Sequence, residues 1–213
     1  IILHYQIDIL VSDNRYGLFC KSAYTLFVTH QISPVLPGIW GWFEYPLHLI
    51  LRSLIRLYNV CWVPDFEDPE HNLSGMLSHR YPLPENARFI GPLSRFGPHN
   101  ASRNCSYTAR YDFVVILSGP EPQITTFENL VYQQLNALPV SAVIIRGMRG
   151  ELSSGSRIPE EGINLIPHLD EEILKSFLLQ AGHVVCRSGY SGIMDLFSIG
   201  IPAILVPTPG QSE

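Results

Sequence analysis

Arg187-Ser188-Gly189 stands between an apolar run that ends at Cys186 and an amphipathic stretch that begins at Ser191. A tight polar turn from strand to helix points backbone N–H groups and the positive helix end at one spot, and Arg187 adds a guanidinium there. That combination suits a phosphate-bearing ligand. Asp195 lies about one turn into the helix, where its carboxylate is placed to accept hydrogen bonds from the hydroxyls of a sugar. A plainer reading pairs Arg187 with a carboxylate, lets Gly189 ease the turn and leaves Asp195 as a solvated helix position.

Other polar groups fall at the ends of apolar runs. Ser118-Gly119-Pro-Glu-Pro-Gln123-Ile124 separates a strand from a helix. Gly119 permits close backbone approach there, while Ser118 and Gln123 offer neutral hydrogen bonds. Glycine and proline at such a turn also serve geometry alone. Arg146 ends one strand and Ile166 another; His168, after Pro167, is placed to border a base pocket. Gln211 and Glu213 in Pro207-Thr-Pro-Gly-Gln-Ser-Glu213 are of hydroxyl-binding type. Thr29-His30-Gln31 ends a further strand, and His30 there is either an acid–base or acceptor-binding group or a histidine satisfying nearby backbone. Asp13-Asn14-Arg15 either caps a helix or binds a substrate.

The elements that must position these groups follow from the periodicity. Ile7–Val11, Tyr24–Val28 and Val60–Val63 are apolar runs, each releasing polar residues at its end, which predicts a parallel sheet whose ligand edge is the C-terminal one. Pro46–Asn59 reads as an amphipathic helix, with Leu47, Ile50, Leu51, Leu54 and Tyr58 on one face and His48, Arg52, Arg56 and Asn59 on another. It either covers the sheet or, flanked by Trp40, Trp42 and Phe43, touches anionic lipid. Residues 65–87 read as a long loop and Arg88–Leu93 as a short strand. Ser94–Arg110 has no apolar period, and the linker is placed at 96–110. Beyond it strand and helix alternate: strand Phe113–Leu117, helix Thr125–Ala137, strands Ala142–Ile145 and Ile163–Ile166, helix Glu171–Gln180, strand Val184–Cys186, helix Ser191–Ile199 and strand Ala203–Val206. Gly200 and Pro202 stop the last helix. The pattern predicts an α/β protein of two doubly wound domains, over 1–95 and 111–213.

Of 213 residues, 46% are hydrophobic and 15% charged, which describes a globular core. The net charge of −5 argues against a nucleic-acid surface, so anion binding has to be local. Cys20, Cys61, Cys105 and Cys186 are widely spaced, which favours a reduced intracellular chain over a zinc site or a disulfide scaffold. Neither a Walker A loop nor a Gly-x-Gly-x-x-Gly fingerprint is present, against ATP hydrolysis and ordinary dehydrogenase chemistry. The chain opens without Met and stops in a polar loop, and the expectation is an internal fragment of a longer protein.

Cys186-Arg-Ser-Gly189, Asp195, Gly200-Ile-Pro202 and Ile204-Leu-Val-Pro207 resemble the C-terminal domain of family 28 glycosyltransferases, enzymes of GT-B fold related to the N-acetylglucosaminyltransferase that completes lipid II. Thr29-His30-Gln31 looks like the strand end of their N-terminal domain, and Asp13–Gly17 takes the place of their glycine-rich acceptor loop. The resemblance implies two Rossmann-like domains facing a cleft. It puts uracil near Ile166–His168, ribose on Asp195, diphosphate on Ser188-Gly189, Ser191-Gly192 and Ser118-Gly119, and sugar hydroxyls near Gln211 and Glu213. Asp13, Asn14, Arg15, Thr29, His30 and Gln31 fall on the acceptor side. The family's Gly-Gly-Ser loop is Ser-Gly-Pro here, its ribose-binding Glu is Asp195, and Asp13-Asn-Arg15 replaces its acceptor glycines.

The expected function is transfer of a hexosamine-type sugar from a UDP-sugar to an acceptor hydroxyl, inverting and without a metal or other cofactor. The base is either His30 or a residue upstream of Ile1. Partners are the UDP-sugar and a lipid-linked or cell-envelope acceptor, with peripheral contact at the inner face of the plasma membrane and no nucleic acid. The alternatives are a UDP-N-acetylglucosamine 2-epimerase-like enzyme and a non-catalytic sugar-nucleotide-binding or membrane-recruiting module.

Overall fold

A computed structural model describes residues 2, 4–36, 38–96, 110–147 and 162–207. The chain divides into two compact units, with the boundary between Leu93 and Ser94. Both are α/β with wholly parallel sheets, as the apolar runs ending in polar residues require.

The first unit holds a sheet of order β1-β2-β3-β4, formed by Ile9–Asp13, Tyr24–Val28, Val60–Val63 and Ala87–Phe89. Phe27, Cys61 and Val63 pack with Ile32, Ile55 and Tyr58 into its core. Helix α1 runs Glu44–Ile55, preceded by a 3-10 helix Gly38–Phe43. Inside the expected loop 65–87, Met76–His79 forms the short helix α2.

Two expectations about α1 need correcting. It starts before Pro46 and ends before Asn59, and its buried face carries Glu44, His48 and Ile55 while Leu49 and Ile50 lie outside. The polar pair is buried because each has partners. The Glu44 carboxylate accepts the Leu36 N–H at 2.8 Å and pairs with Arg80. The His48 ring packs against Tyr81 with Nδ1 3.2 Å from the Ile32 carbonyl oxygen. Satisfied polar groups can occupy interior positions that a hydrophobicity pattern reserves for leucine.

The second unit has a sheet of order β7-β6-β5-β8-β9, from Ile163–Ile166, Ala142–Ile145, Tyr111–Ile116, Ala181–Arg187 and Ala203–Val206. Helix α3 (Gln123–Asn136) covers one face through Ile124, Phe127, Val131 and Leu135. Helices α4 (Glu171–Leu179) and α5 (Tyr190–Ile199) cover the other through Leu174, Leu178, Leu196 and Ile199. Gly200, left-handed at φ 71°, ends α5, and the Ile201 N–H donates to the Leu196 carbonyl. The chain runs from β5 outward to β7, returns to the other side of β5 as β8, and continues to β9. The direction of winding reverses between β5 and β8, where the loops leaving their C-terminal ends diverge. In an open parallel sheet that switch point is where ligands bind.

Candidate functional site

The switch point is where Arg187 sits. It is the last residue of β8, is 5% exposed, and crosses to the loop after β5. There its Nη1 donates to the Ser118 carbonyl and its Nη2 to Gln123 Oε1 at 2.9 Å. Gly119 has φ +112°, and a Cβ built on it would lie 1.9 Å from Arg187 Nη1. The left-handed backbone there favours glycine, and a Cβ would displace the end of the Arg187 side chain. Pro120 and Pro122 have no N–H to give, and within this loop the Ser118 carbonyl and the Gln123 side chain hold Arg187.

Next to it, α5 begins. The Ser188 N–H donates to the Val206 carbonyl at 3.2 Å, which ties the turn to β9. Gly189, in extended conformation, is the N-cap and no side chain caps the helix. A Cβ on Gly189 or on Gly192 would meet nothing within 4 Å. Internal packing therefore does not call for glycine at these two positions, and together they keep the approach to the first-turn backbone open. A pocket of about 390 Å³ lies on the α3 side, walled by Phe127, Leu130, Val206 and Pro207 with Arg187 and Gln123 among its lining.

Other donor-side residues are engaged in contacts that sequence reasoning did not foresee. Arg146 forms a close ion pair with Glu128 of α3, Nε to Oε2 2.6 Å, and lies 3.9 Å from Glu121. Asp195 is 8% exposed; its Oδ1 accepts from Ser94 Oγ at 2.7 Å and from the Arg95 N–H at 3.3 Å, and its Oδ2 from Arg95 Nε at 2.8 Å. Ile166 is buried at the end of β7 and its carbonyl accepts the Arg146 N–H, while His168 is exposed. Gln211 and Glu213 lie outside the described residues.

In the first unit three of the residues expected on the acceptor side, Asn14, Thr29 and Gln31, are linked by hydrogen bonds. Asn14, left-handed at φ 48°, donates its N–H to the Val28 carbonyl and accepts from Thr29 Oγ1 at 2.9 Å. The Gln31 N–H donates to Thr29 Oγ1, and Tyr16 Oη donates to the Gln31 carbonyl. Burial pushes the Tyr16 phenol up to about 12, so it remains a donor at neutral pH. His30 is half-buried between Thr29 and Gln31, and Asp13 and Arg15 are exposed. The Arg15 carbonyl accepts from Ser12 Oγ and Tyr58 Oη.

Asp65, just after β3, was not singled out in the sequence although it closes the third strand. It is fully buried and accepts from the N–H groups of Phe66, Leu73 and Ser74, and from the hydroxyls of Ser74 and Ser78. Burial alone would raise its pKa; the Ser74 hydroxyl and these N–H groups outweigh it and hold the carboxyl below the usual value. Ser74, Gly75 and Ser78 after Asp65 were the available signal for such a loop-organising carboxylate. Among the described residues no group of three or more His, Cys, Asp or Glu is placed to hold a metal ion.

A parallel α/β unit with an uncapped, glycine-opened helix start and a buried arginine at its switch point has the backbone donors and charge that suit a phosphate-linked ligand. Residues 153–213 match the glycosyltransferase family 28 C-terminal domain, a stretch that contains β7, α4, β8, α5 and β9. The match supports sugar transfer as the chemistry associated with this part of the chain. No curated protein matches the chain. Among solved structures the chain is similar to spinosyn forosaminyltransferase SpnP, at 13% identity and a TM-score of 0.48, over 99% of this chain and 59% of that one.

Proposed function

We propose that the protein transfers a sugar from a nucleoside diphosphate sugar to an acceptor hydroxyl. The observation that carries this reading is the start of α5, open in front of Gly189 and Gly192 beside Arg187, within the stretch that matches a glycosyltransferase domain. The donor is a UDP-sugar of the N-acetylhexosamine type. Its diphosphate lies on the N–H groups of the first turn, with Ser188 and Ser191 as hydroxyl donors.

The acceptor role falls to the first unit, whose Asn14, Thr29 and Gln31 form one polar cluster around His30. A base there, with His30 as the candidate among the described residues, takes the proton as the acceptor oxygen bonds to the anomeric carbon. The bond from that carbon to the β-phosphate oxygen breaks on the opposite face, which inverts the centre. UDP leaves with the electron pair. Oriented N–H groups and the helix end stabilise the charge that develops on it without reorganisation, so the step does not call for a metal ion.

Titration with UDP tests the reading. The protein binds UDP, and Arg187→Ala weakens it by roughly tenfold or more, since a charge-assisted hydrogen bond contributes about 1.5–3 kcal/mol. Unchanged affinity in that variant would remove Arg187 from the phosphate site.

A membrane-facing role for the first unit rests on the exposed apolar residues Ile39, Trp40, Trp42, Leu49 and Ile50 of the 3-10 helix and α1. Tryptophan on the outer face of a short amphipathic helix favours the lipid interface, at the cytoplasmic side where a lipid-linked cell-envelope acceptor presents its head group. No helix among the described residues is long and apolar enough to cross a membrane.

A further inference from the structure

The resemblance assigns Asp195 to a ribose, yet the contacts of its carboxylate point elsewhere. Both oxygens accept hydrogen bonds from Ser94 and Arg95, about a hundred residues away in sequence, at 2.7, 3.3 and 2.8 Å. The residue is 8% exposed. These donors belong to the stretch where the second unit begins. We propose that Asp195 is a positioning residue that clamps Ser94–Phe96 onto α5, and that it does not read the ribose of a bound nucleotide.

The clamp does not depend on one ion pair. Phe96, next in sequence, is buried in the core formed by α4, α5 and the sheet, and its carbonyl accepts from Lys175 Nζ of α4 at 3.2 Å. Its N–H donates to Ser94 Oγ, so that hydroxyl links the backbone of Phe96 to Oδ1 of Asp195. The Arg95 guanidinium lies 5.2 Å from the Phe96 ring centroid. Ser94, Arg95 and Phe96 therefore each make a separate contact with the helical face of the second unit. A carboxylate has about four lone-pair sites, and three are taken here. A ribose diol competing for them would first have to displace a guanidinium whose bond to the carboxylate is charge-assisted.

The consequence is mechanical. The helix whose first turn forms the proposed phosphate site also anchors the chain that arrives from the first unit. Arg95 and Ser94 are thereby fixed relative to α5, and Asp195 acts through them and not on the ligand.

Three readouts test this, and only the last rests on the proposed function. Under native conditions trypsin cleaves after Arg95 faster in Asp195→Asn than in the parent, by roughly tenfold relative to cleavage after Arg146 of the same unit, because the local opening is no longer opposed by the clamp. An unchanged ratio overturns the clamp, whereas a general loss of stability would speed both sites alike. Melting temperatures of Asp195→Asn, Ser94→Ala and the double variant form a cycle, with Ser94→Ala as the milder change should the first variant fold poorly. Non-additive losses are expected, and additive ones count against direct coupling. Finally, the ratio of UDP affinity to that of its 2′,3′-dideoxy counterpart stays within about twofold of the parent in Asp195→Asn. A preference for the diol that disappears in the variant restores the ribose role and overturns the proposal. If the parent binds no UDP at all, the proposed function fails while cleavage and melting still decide the clamp.

Discussion

Asp65 shows what a single residue contributes here. Its carboxylate satisfies a run of backbone N–H groups that would otherwise be buried without partners. Asp65→Asn keeps the shape but replaces one acceptor oxygen by an amide donor facing donors. The expected loss is about 3 kcal/mol at neutral pH, the scale of a buried charged acceptor removed from its donors. The sign with pH follows from the lowered pKa: the contribution is complete above the unfolded value near 3.9 and fades as pH falls through the lower folded one. Chemical denaturation from pH 7 to pH 2 should therefore show the parent and the variant converging at the acid end. A constant gap would separate the loss from the ionised carboxylate. Arg187 and Gly119 illustrate how little of a contact the sequence discloses. Their types were legible as site candidates, but the carbonyl that holds the guanidinium lies on a different strand end.

At the scale of the element, α5 combines poor intrinsic propensity with a functional opening. Gly192 sits in its first turn where a Cβ would touch nothing, so Gly192→Ala stabilises the unliganded helix by about 0.5–1 kcal/mol. The same methyl intrudes where the diphosphate is proposed to approach the backbone. A higher melting temperature with weaker UDP binding is the expected pair of results; higher stability with full affinity would move the ligand off this turn. Helix α1 presents the complementary lesson. The amphipathic pattern put Ile50 on the apolar face and His48 on the polar one, and the structure has His48 buried and Ile50 about half exposed. A helical wheel cannot register that Tyr81 and the Ile32 carbonyl stand ready for an imidazole. The outward apolar stripe that results predicts that the protein floats with anionic vesicles and that Trp42→Ser with Ile50→Ser abolishes flotation. Flotation unaffected by the double substitution would separate any membrane contact from this stripe.

Across the whole molecule, two units with separate cores imply two partly independent stabilities. Ligand on α5 raises the stability of the second unit alone, by about 2.7 kcal/mol at a hundredfold excess over the dissociation constant. Calorimetry with and without UDP should show one transition moving and the other still. A uniform shift would mean that nucleotide contacts reach beyond the second unit.

The sequence alone determined the α/β class, because short apolar runs that end in polar residues and alternate with amphipathic stretches fit parallel strands joined by helices. It also located the strand-to-helix turn at Arg187–Gly189 and the stop at Gly200, where local chemistry is self-sufficient. What needed the tertiary structure was every pairing between distant segments: Arg187 with Ser118 and Gln123, Arg146 with Glu128, Asp195 with Ser94 and Arg95. Periodicity reports the type of an element but, as α1 shows, not always the face it buries. The partner of a given side chain depends on strand order, and strand order is set by the packing of the whole sheet.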